Sequence, residues 1–159
     1  MTQRANANAN VVVEQLRSWS AQAVSQVLDY RGETTIVVPR DLLRATAQQC
    51  KDNPALQFNL LSDATCVDRF PVEPRFELNY QLVSIPRRAR ICLRTSVGGQ
   101  HPFVDSLEPV WPGANWLERE IFDLFGIRFE GHSDLRRILL PEGFEGFPLR
   151  RDFPTEGQR

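Results

Sequence analysis

The sequence is poor in the residues that hold metals and clusters. It contains three cysteines, none in a CxxC pair, and two histidines. Iron–sulfur clusters and structural zinc sites usually need closely spaced thiolate or imidazole ligands. The wide spacing and odd number of Cys50, Cys66 and Cys92 also indicate a reducing compartment, not a disulfide framework. We therefore expect no metal or cluster in this chain.

Lysine is almost absent, because Lys51 is the only one and nearly all basic residues are arginines. A net charge of -1 gives no general attraction for nucleic acid. The pairs Arg87-Arg88, Arg136-Arg137 and Arg150-Arg151 lie far apart among acidic residues, so we interpret them as protein-facing or solvated.

Long apolar runs are also missing. No run approaches the roughly 18 residues that span a bilayer, and the polar start MTQRANANAN does not resemble a signal peptide. We expect a soluble, cytoplasmic chain that meets a membrane only through an assembly.

The first half of the chain predicts two helices and a strand. Residues 1–10 are low in complexity and predicted to be disordered. Apolar residues recur at helical spacing from Val12 to Val27, before Gly32, and again from Leu42 to Cys50. Between them, the β-branched run 34–38 predicts a strand.

The middle of the chain predicts mainly strands. Apolar and polar residues alternate over 75–85 and 90–97, which predicts a β-hairpin. The short apolar run 56–61 is followed by an expected polar loop at residues 62–63. These elements indicate a single α+β domain over residues 11–140, with a mixed sheet covered by helices on one face.

A well-marked helix follows residue 113. Asn115 is predicted to cap it, with Glu118 completing a variant capping box, and Gly126 is predicted to end it. Its apolar stripe consists of Leu117, Ile121, Leu124 and Phe125.

The carboxylates of this helix could suggest acid–base catalysis. Glu118 and Glu120 lie about 200° apart on a helix, so they cannot face one substrate. Glu120 and Asp123 share a face, and Arg119 can pair with Asp123 one turn away. We therefore favour an ion-paired or solvated face over a catalytic pair.

His132 has no companion at ligand spacing, so we interpret it as a hydrogen-bonded structural residue. The chain contains no nucleophile elbow, phosphate loop or dinucleotide fingerprint.

Residues 141–159 differ from the rest of the chain. They contain three glycines, three prolines and three phenylalanines, with no helical or strand period. Such a tail is predicted to be extended, mobile alone, and bound to a partner through Phe144, Phe147 and Phe153. We expect truncation after Leu140 to leave the domain folded.

The ordered series Glu118-Arg119-Glu120, Asp123 to Gly126, Gly131-His132 and Arg136 to Pro141 resembles the 30 kDa subunit family, the C subunit, of respiratory complex I. The ending Gly146 to Pro154 is similar to the ending of that family. Three upstream stretches fit the family as well: residues 62–65, 67–68 and 111–116. In total, the resemblance covers about residues 56–154. One departure is Ser133, where the family usually has proline; this serine could cap a short segment over 134–139.

The resemblance implies a cofactor-free scaffold in the peripheral arm of the proton-pumping NADH:quinone oxidoreductase. It implies packing near the quinone site against the D subunit, which forms much of the quinone pocket, and against other peripheral-arm subunits. The expected location is the cytoplasmic side of the cell membrane. FMN and iron–sulfur clusters would lie in partner subunits, and NADH and quinone would be substrates of the whole complex.

Two other settings stay open. The equivalent subunit of a related membrane-bound hydrogenase is one alternative, and a free-standing small-molecule enzyme is a weaker one.

The resemblance also assigns motif or interface positions, for which we expect roles in packing and in contacts between subunits, and not in catalysis. These positions are Glu118, Arg119, Glu120, Asp123, Gly126, His132, Arg136, Arg137, Arg150, Arg151 and Asp152.

Overall fold

The computed structural model describes residues 2–154, with side chains from residue 9 onward. It contains three α-helices: α1 Thr2–Trp19, α2 Leu43–Asp52 and α3 Ala114–Phe125. The strands are β1 Gln26–Tyr30, β2 Glu33–Val37, β3 Leu60–Asp68, β4 Phe76–Ser84, β5 Ala89–Val97, β6 Phe103–Asp105 and β7 Arg128–Glu130. Short 3₁₀ turns at Ala21–Ala23 and Arg40–Leu42 precede β1 and α2.

Five strands form one mixed sheet in the order β1-β2-β5-β4-β3. Strands β2 and β5 are parallel, and the other neighbours are antiparallel. The predicted hairpin of β4 and β5 is confirmed, with a continuous register from Phe76 opposite Val97 to Ser84 opposite Ala89. The predicted α+β class with a mixed sheet is therefore confirmed.

The core lies between this sheet and the three helices, since α1, α2 and α3 all contribute buried apolar side chains. Alternation along β4 and β5 sends every second side chain into the core, while neighbours such as Gln81 and Arg94 lie on the other face and are partly exposed. Each large apolar side chain buried in this way contributes about 1.5–3 kcal/mol. The largest fully buried side chains, from these and other elements, are Leu16, Ile36, Leu43, Phe58, Phe76, Leu78, Tyr80, Leu82, Ile91, Leu93, Leu107 and Ile127.

The first predicted helix is wrong in its extent. It ends at Trp19, and the residues after it form a β-hairpin of β1 and β2. Arg31 and Gly32 connect the two strands, both with positive φ, as the favoured two-residue hairpin turn requires. The apolar spacing of residues 12–27 fits a helix, but this turn and cross-strand pairing override it.

At its other end α1 begins at Thr2, whereas residues 1–10 were expected to be disordered. Residue 1 lies outside the described residues. The alanines between residues 5 and 9 favour this extension of the helix.

The expected polar loop at Ser62 and Asp63 is also replaced by regular structure. Both residues lie inside β3, next to an irregularity in its register with β4. Because β3 is at the edge of the sheet, its polar side chains can face solvent without breaking the strand.

Helix α3 and the short parallel pair β6–β7 position the motif residues. The predicted cap is wrong: Gly113 precedes the helix without a side-chain cap, and Asn115 donates from Nδ2 to Glu108 at 2.9 Å. Glu118 is unavailable for a capping box because its side chain points into the core. The predicted stop is confirmed, since Gly126 ends α3 with φ +73° and leads into β7. Among residues 2–154, no helix has both the length and the apolar content that crossing a membrane requires.

Tyr80 supplies a test of this core. Its side chain is fully buried, and its hydroxyl has no hydrogen-bond partner among residues 2–154. Because an unpaired buried hydroxyl costs free energy, we expect Tyr80→Phe to keep or raise the free energy of unfolding, by up to about 1 kcal/mol. Urea denaturation measures this, with Tyr30→Phe at the exposed Tyr30 as the neutral control. A loss of more than about 1 kcal/mol in Tyr80→Phe would show that the hydroxyl has an essential partner.

Candidate functional site

Asp123 in α3 is the acceptor that organises the motif. Its side chain is fully buried and receives Arg137 Nη1 at 2.6 Å. The backbone N–H groups of Ile138, Leu139 and Leu140 donate to its other oxygen at 3.1, 2.8 and 2.8 Å. Burial alone would raise the pKa of Asp123, but these donors outweigh burial and hold the pKa below its ordinary value. Asp123 thus fixes the chain that follows β7 against α3.

Arg137 extends this connection into the tail. Besides Asp123, it donates from Nη2 to the carbonyls of Phe144 at 3.0 Å and Gly146 at 3.3 Å. Its guanidinium also lies over the Phe147 ring, 5.6 Å from the centroid. One arginine therefore joins the helix, the following segment and the tail.

The predicted pair of Arg119 and Asp123 does not form. Arg119 donates instead to the carbonyls of Arg136 and Arg137, at 3.1 and 3.2 Å. The reason is that the oxygens of Asp123 already have Arg137 and three backbone donors. Glu120 is exposed, so it does not share a site with the buried Asp123. Arg136 is exposed as well, and within the described part of the chain it pairs only with its neighbour Asp134, at 2.9 Å.

Glu118 lies in a separate buried position. Ser106 Oγ donates to one of its oxygens at 2.5 Å, and the Leu107 N–H donates to the other at 2.6 Å. Burial raises the pKa of Glu118 from 4.5 to about 7, against the lowering effect of these two hydrogen bonds. Glu118 ties α3 to the segment after β6.

His132 is held on both ring nitrogens. Nε2 lies 3.1 Å from the Asn115 carbonyl, and Nδ1 accepts the Asp134 N–H at 3.0 Å. The donor on one side and the acceptor on the other fit a neutral ring. Ser133 does not begin a helix; its N–H and hydroxyl both donate to Glu108, at 2.7 and 2.6 Å.

A second group of ion pairs, formed by Asp68, Arg75 and Asp152, holds the end of the tail. Arg75 makes two hydrogen bonds to Asp68, at 2.9 and 2.7 Å, and two to Asp152, at 2.9 and 2.6 Å. The Arg151 N–H also donates to Asp68, at 2.9 Å. Burial would raise the pKa of Asp68, but the Arg75 and backbone hydrogen bonds lower it to about 2. Sequence reasoning missed Arg75 and Asp68, because their tail partners are distant along the chain.

Between these two groups the tail packs on the end of α3. Arg150 donates from Nε to the Phe125 carbonyl at 2.6 Å and lies over the rings of Phe76 and Phe147. Position 126 requires a glycine for a steric reason as well as for its positive φ, since a Cβ there would come within 2.5 Å of the Phe147 ring. The rings of Phe144 and Phe153 stack 6.2 Å apart.

The structure agrees with the predicted irregular tail and gives its position. As far as Pro154, the tail has no helix or strand, and it lies along its own domain. The physical reason is that buried polar groups of the domain find partners in the tail. The Arg151 N–H donates to Asp68, Asp152 accepts from Arg75, and the carbonyls of Phe144 and Gly146 accept from Arg137. We now expect truncation after Leu140 to destabilise the domain, since it would remove Phe147 from Gly126 and Asp152 from Arg75.

The fold and these contacts define an α+β domain whose motif residues hold its own C-terminal segment. The model of the family described as "Respiratory-chain NADH dehydrogenase, 30 Kd subunit" matches residues 36–159. The chain is 45% identical to the C subunit of the NADH-quinone oxidoreductase of Roseiflexus sp. (strain RS-1), over 90% of this chain and 82% of the relative. The chain belongs to this 30 kDa subunit family.

Solved structures agree with this family. A trypsin-resistant fragment of Nqo5 superposes with a TM-score of 0.69 at 33% identity, covering 80% of this chain and 99% of the fragment. A chain of an archaeal membrane-bound sulfane sulfur reductase gives a TM-score of 0.77 at 25% identity, covering 92% of this chain and 86% of that chain.

Glu118 gives a prediction about pH. Because its pKa in the fold lies above its ordinary value, the protonated group stabilises the fold at pH below about 4.5, and this contribution is lost as the pH rises to about 7. We expect the free energy of unfolding of the wild type to fall by about 3 kcal/mol relative to Glu118→Gln across that range. Urea denaturation at several pH values measures the difference, and a difference that does not change with pH would contradict it.

Asp123 gives a prediction about stability. In Asp123→Asn an amide N–H₂ would face donors, so we expect a loss of about 3 kcal/mol in the free energy of unfolding and faster trypsin cleavage after Arg150. The control is Glu120→Gln, which changes an exposed carboxylate of the same helix and should alter stability by less than about 0.5 kcal/mol. Equal effects of the two variants would refute the role of Asp123.

Proposed function

We propose that the chain is a cofactor-free scaffold subunit in the peripheral arm of NADH:quinone oxidoreductase. It packs against the D subunit near the quinone site, on the cytoplasmic side of the cell membrane. In this role it supports electron transfer from NADH to quinone, coupled to proton translocation, without contacting the reacting atoms. FMN and the clusters belong to the partner subunits.

The hydrogen-bond partners of the charged motif residues are the observation that supports a scaffold role. Asp123, Arg137 and Arg119 make hydrogen bonds to backbone groups of the chain's own segments, and Glu118 is enclosed by the core. A catalytic carboxylate must reach a substrate proton, directly or through one water. These groups instead fix the shape of a surface.

The surface that we assign to the D subunit is the outer side of the docked tail and of the segment just before it. Leu139 before the tail and Leu149 within it are 61% and 52% exposed, and Ile138, next to Leu139, is 37% exposed. The phenylalanines that were expected to bind the partner are partly buried against the domain. We therefore assign the partner contact to the exposed leucines, because apolar side chains held in fixed positions gain contact area at low entropic cost.

A related membrane complex is the second candidate setting. The likeness to the sulfane sulfur reductase chain supports a shared fold for this subunit in other respiratory assemblies. A membrane-bound hydrogenase, the alternative setting, would be one such assembly. The higher identity to quinone oxidoreductase relatives favours complex I.

Two arginines provide the test. Arg137 joins helix and tail, whereas Arg88 is exposed in the turn before β5, away from the motif. We expect Arg137→Ala to reduce the amount of assembled complex several-fold, because a buried carboxylate loses its partner. Arg88→Ala should assemble normally. The measurements are the yield of complex co-purified in mild detergent with the tagged chain, and the NADH:quinone activity of each assembled complex.

The two measurements separate a scaffold from a catalyst. A scaffold predicts fewer complexes, each with unchanged turnover. Normal assembly of Arg137→Ala with turnover abolished would instead assign a direct role in the reaction and contradict the proposal.

A further inference from the structure

A charged cleft lies where the tail meets the β6–β7 pair. It has a volume of about 540 Å³. Its lining includes Gly99, His101, Gly126, Arg128, Glu130 and Arg150. Arg150 and Gly126 also take part in tail docking, whereas the side chains of Arg128 and Glu130 make none of the hydrogen bonds that hold the tail.

Arg150 presents a fixed donor to this cleft. Its Nε is bound to the Phe125 carbonyl, and its guanidinium is held over the rings of Phe76 and Phe147. Its Nη atoms have no hydrogen-bond acceptor among residues 2–154 and are not sealed from solvent. Gly126 keeps this side of the cleft open, since a Cβ there would lie 2.7 Å from Nη2. The guanidinium is therefore already oriented for an incoming acceptor.

Arg128 adds a second positive charge. It is exposed on β7, and neither Arg128 nor Arg150 forms a salt bridge with a carboxylate of residues 2–154. Glu130 supplies one negative charge, so the two arginines and this glutamate give the cleft a formal charge of +1. One added carboxylate would balance it.

The carboxylates of this chain nearest to Arg150 are already engaged. Both oxygens of Asp152 accept from Arg75, and both oxygens of Asp68 accept from Arg75 as well as from backbone N–H groups. Moving Asp68 to Arg150 would break a buried ion pair, which is strongly unfavourable, and moving Asp152 would break both of its hydrogen bonds to the buried Arg75. The balancing group therefore has to come from outside residues 2–154.

We propose that the cleft between Arg128 and Arg150 receives an Asp or Glu side chain from a neighbouring protein of the complex. This inference rests on the proposed function, because it needs an assembled complex. A carboxylate suits the site, since guanidinium groups bind planar carboxylates through two parallel hydrogen bonds. The occupant is thus an acidic segment of a partner protein that enters beside the docked tail.

The scarcity of lysine makes a direct test possible. Lys51 is the only lysine of the chain, and its amine donates to the Val110 carbonyl. Arg128→Lys keeps the positive charge and introduces an amine that a carbodiimide couples only to a carboxylate in contact with it. The intact complex carrying this variant is treated with the carbodiimide, and the linked peptides are identified by mass spectrometry. Arg88→Lys is the matched control, because Arg88 is equally exposed but distant from the cleft. It lies in the turn before β5, whereas Gly99, which lines the cleft, follows the opposite end of that strand.

The expected result is a cross-link from position 128, and none from position 88, to an Asp or Glu of one other protein of the complex. A second variant, Arg128→Glu, should lower the yield of co-purified complex about tenfold, while Arg88→Glu leaves it unchanged.

The inference is overturned if position 128 links to no other protein, or only to this chain's Glu130 or Glu156, or if Arg128→Glu assembles normally. Failure of the wild-type chain to co-purify with NADH:quinone oxidoreductase would instead overturn the proposed function.

Discussion

Two carboxylates in the domain, Asp123 and Asp68, impose the constraint on which the C-terminal third of the molecule depends. An ionised carboxylate removed from water is stable only if donors satisfy its oxygens. Here the donors are Arg137 and Arg75 together with five backbone N–H groups: three after Arg137, one at Phe70 and one at Arg151. The chain after β7 can therefore adopt its path without regular secondary structure.

The same constraint explains why a densely charged stretch lacks an open catalytic arrangement. Its carboxylates and arginines face the chain itself, and the apolar packing follows their placement. With Arg137 fixed by Asp123, Phe147 reaches Gly126, where only a glycine leaves room for the ring. Arg150 then lies over this ring and orients its remaining donors outward, toward the cleft beside β7. The internal ion pairs thus shape an external surface.

Features that depend on local sequence were predictable. The β4–β5 hairpin follows from alternation, and the end of α3 follows from Gly126, because both signals lie within a few residues. The β1–β2 hairpin was missed because the apolar spacing before Arg31 also fits a helix. Arg75 and Asp152 are 77 residues apart, so their pairing produces no periodic pattern in the sequence. The family resemblance identified Asp123 and Arg137 as motif residues, but it did not predict that they hold the tail.

Hydrogen exchange of the isolated chain tests most directly whether the carboxylates hold the tail on the domain. Mass spectrometry would follow the amides of Ile138, Leu139, Leu140 and Arg151 in the wild type and in Asp123→Asn. The account predicts slow exchange of all four amides in the wild type, and faster exchange of the first three in the variant because they lose their acceptor. Exchange of these amides at the rate of an unfolded peptide in the wild-type chain would show that the tail is not held by its own domain, and would contradict the account.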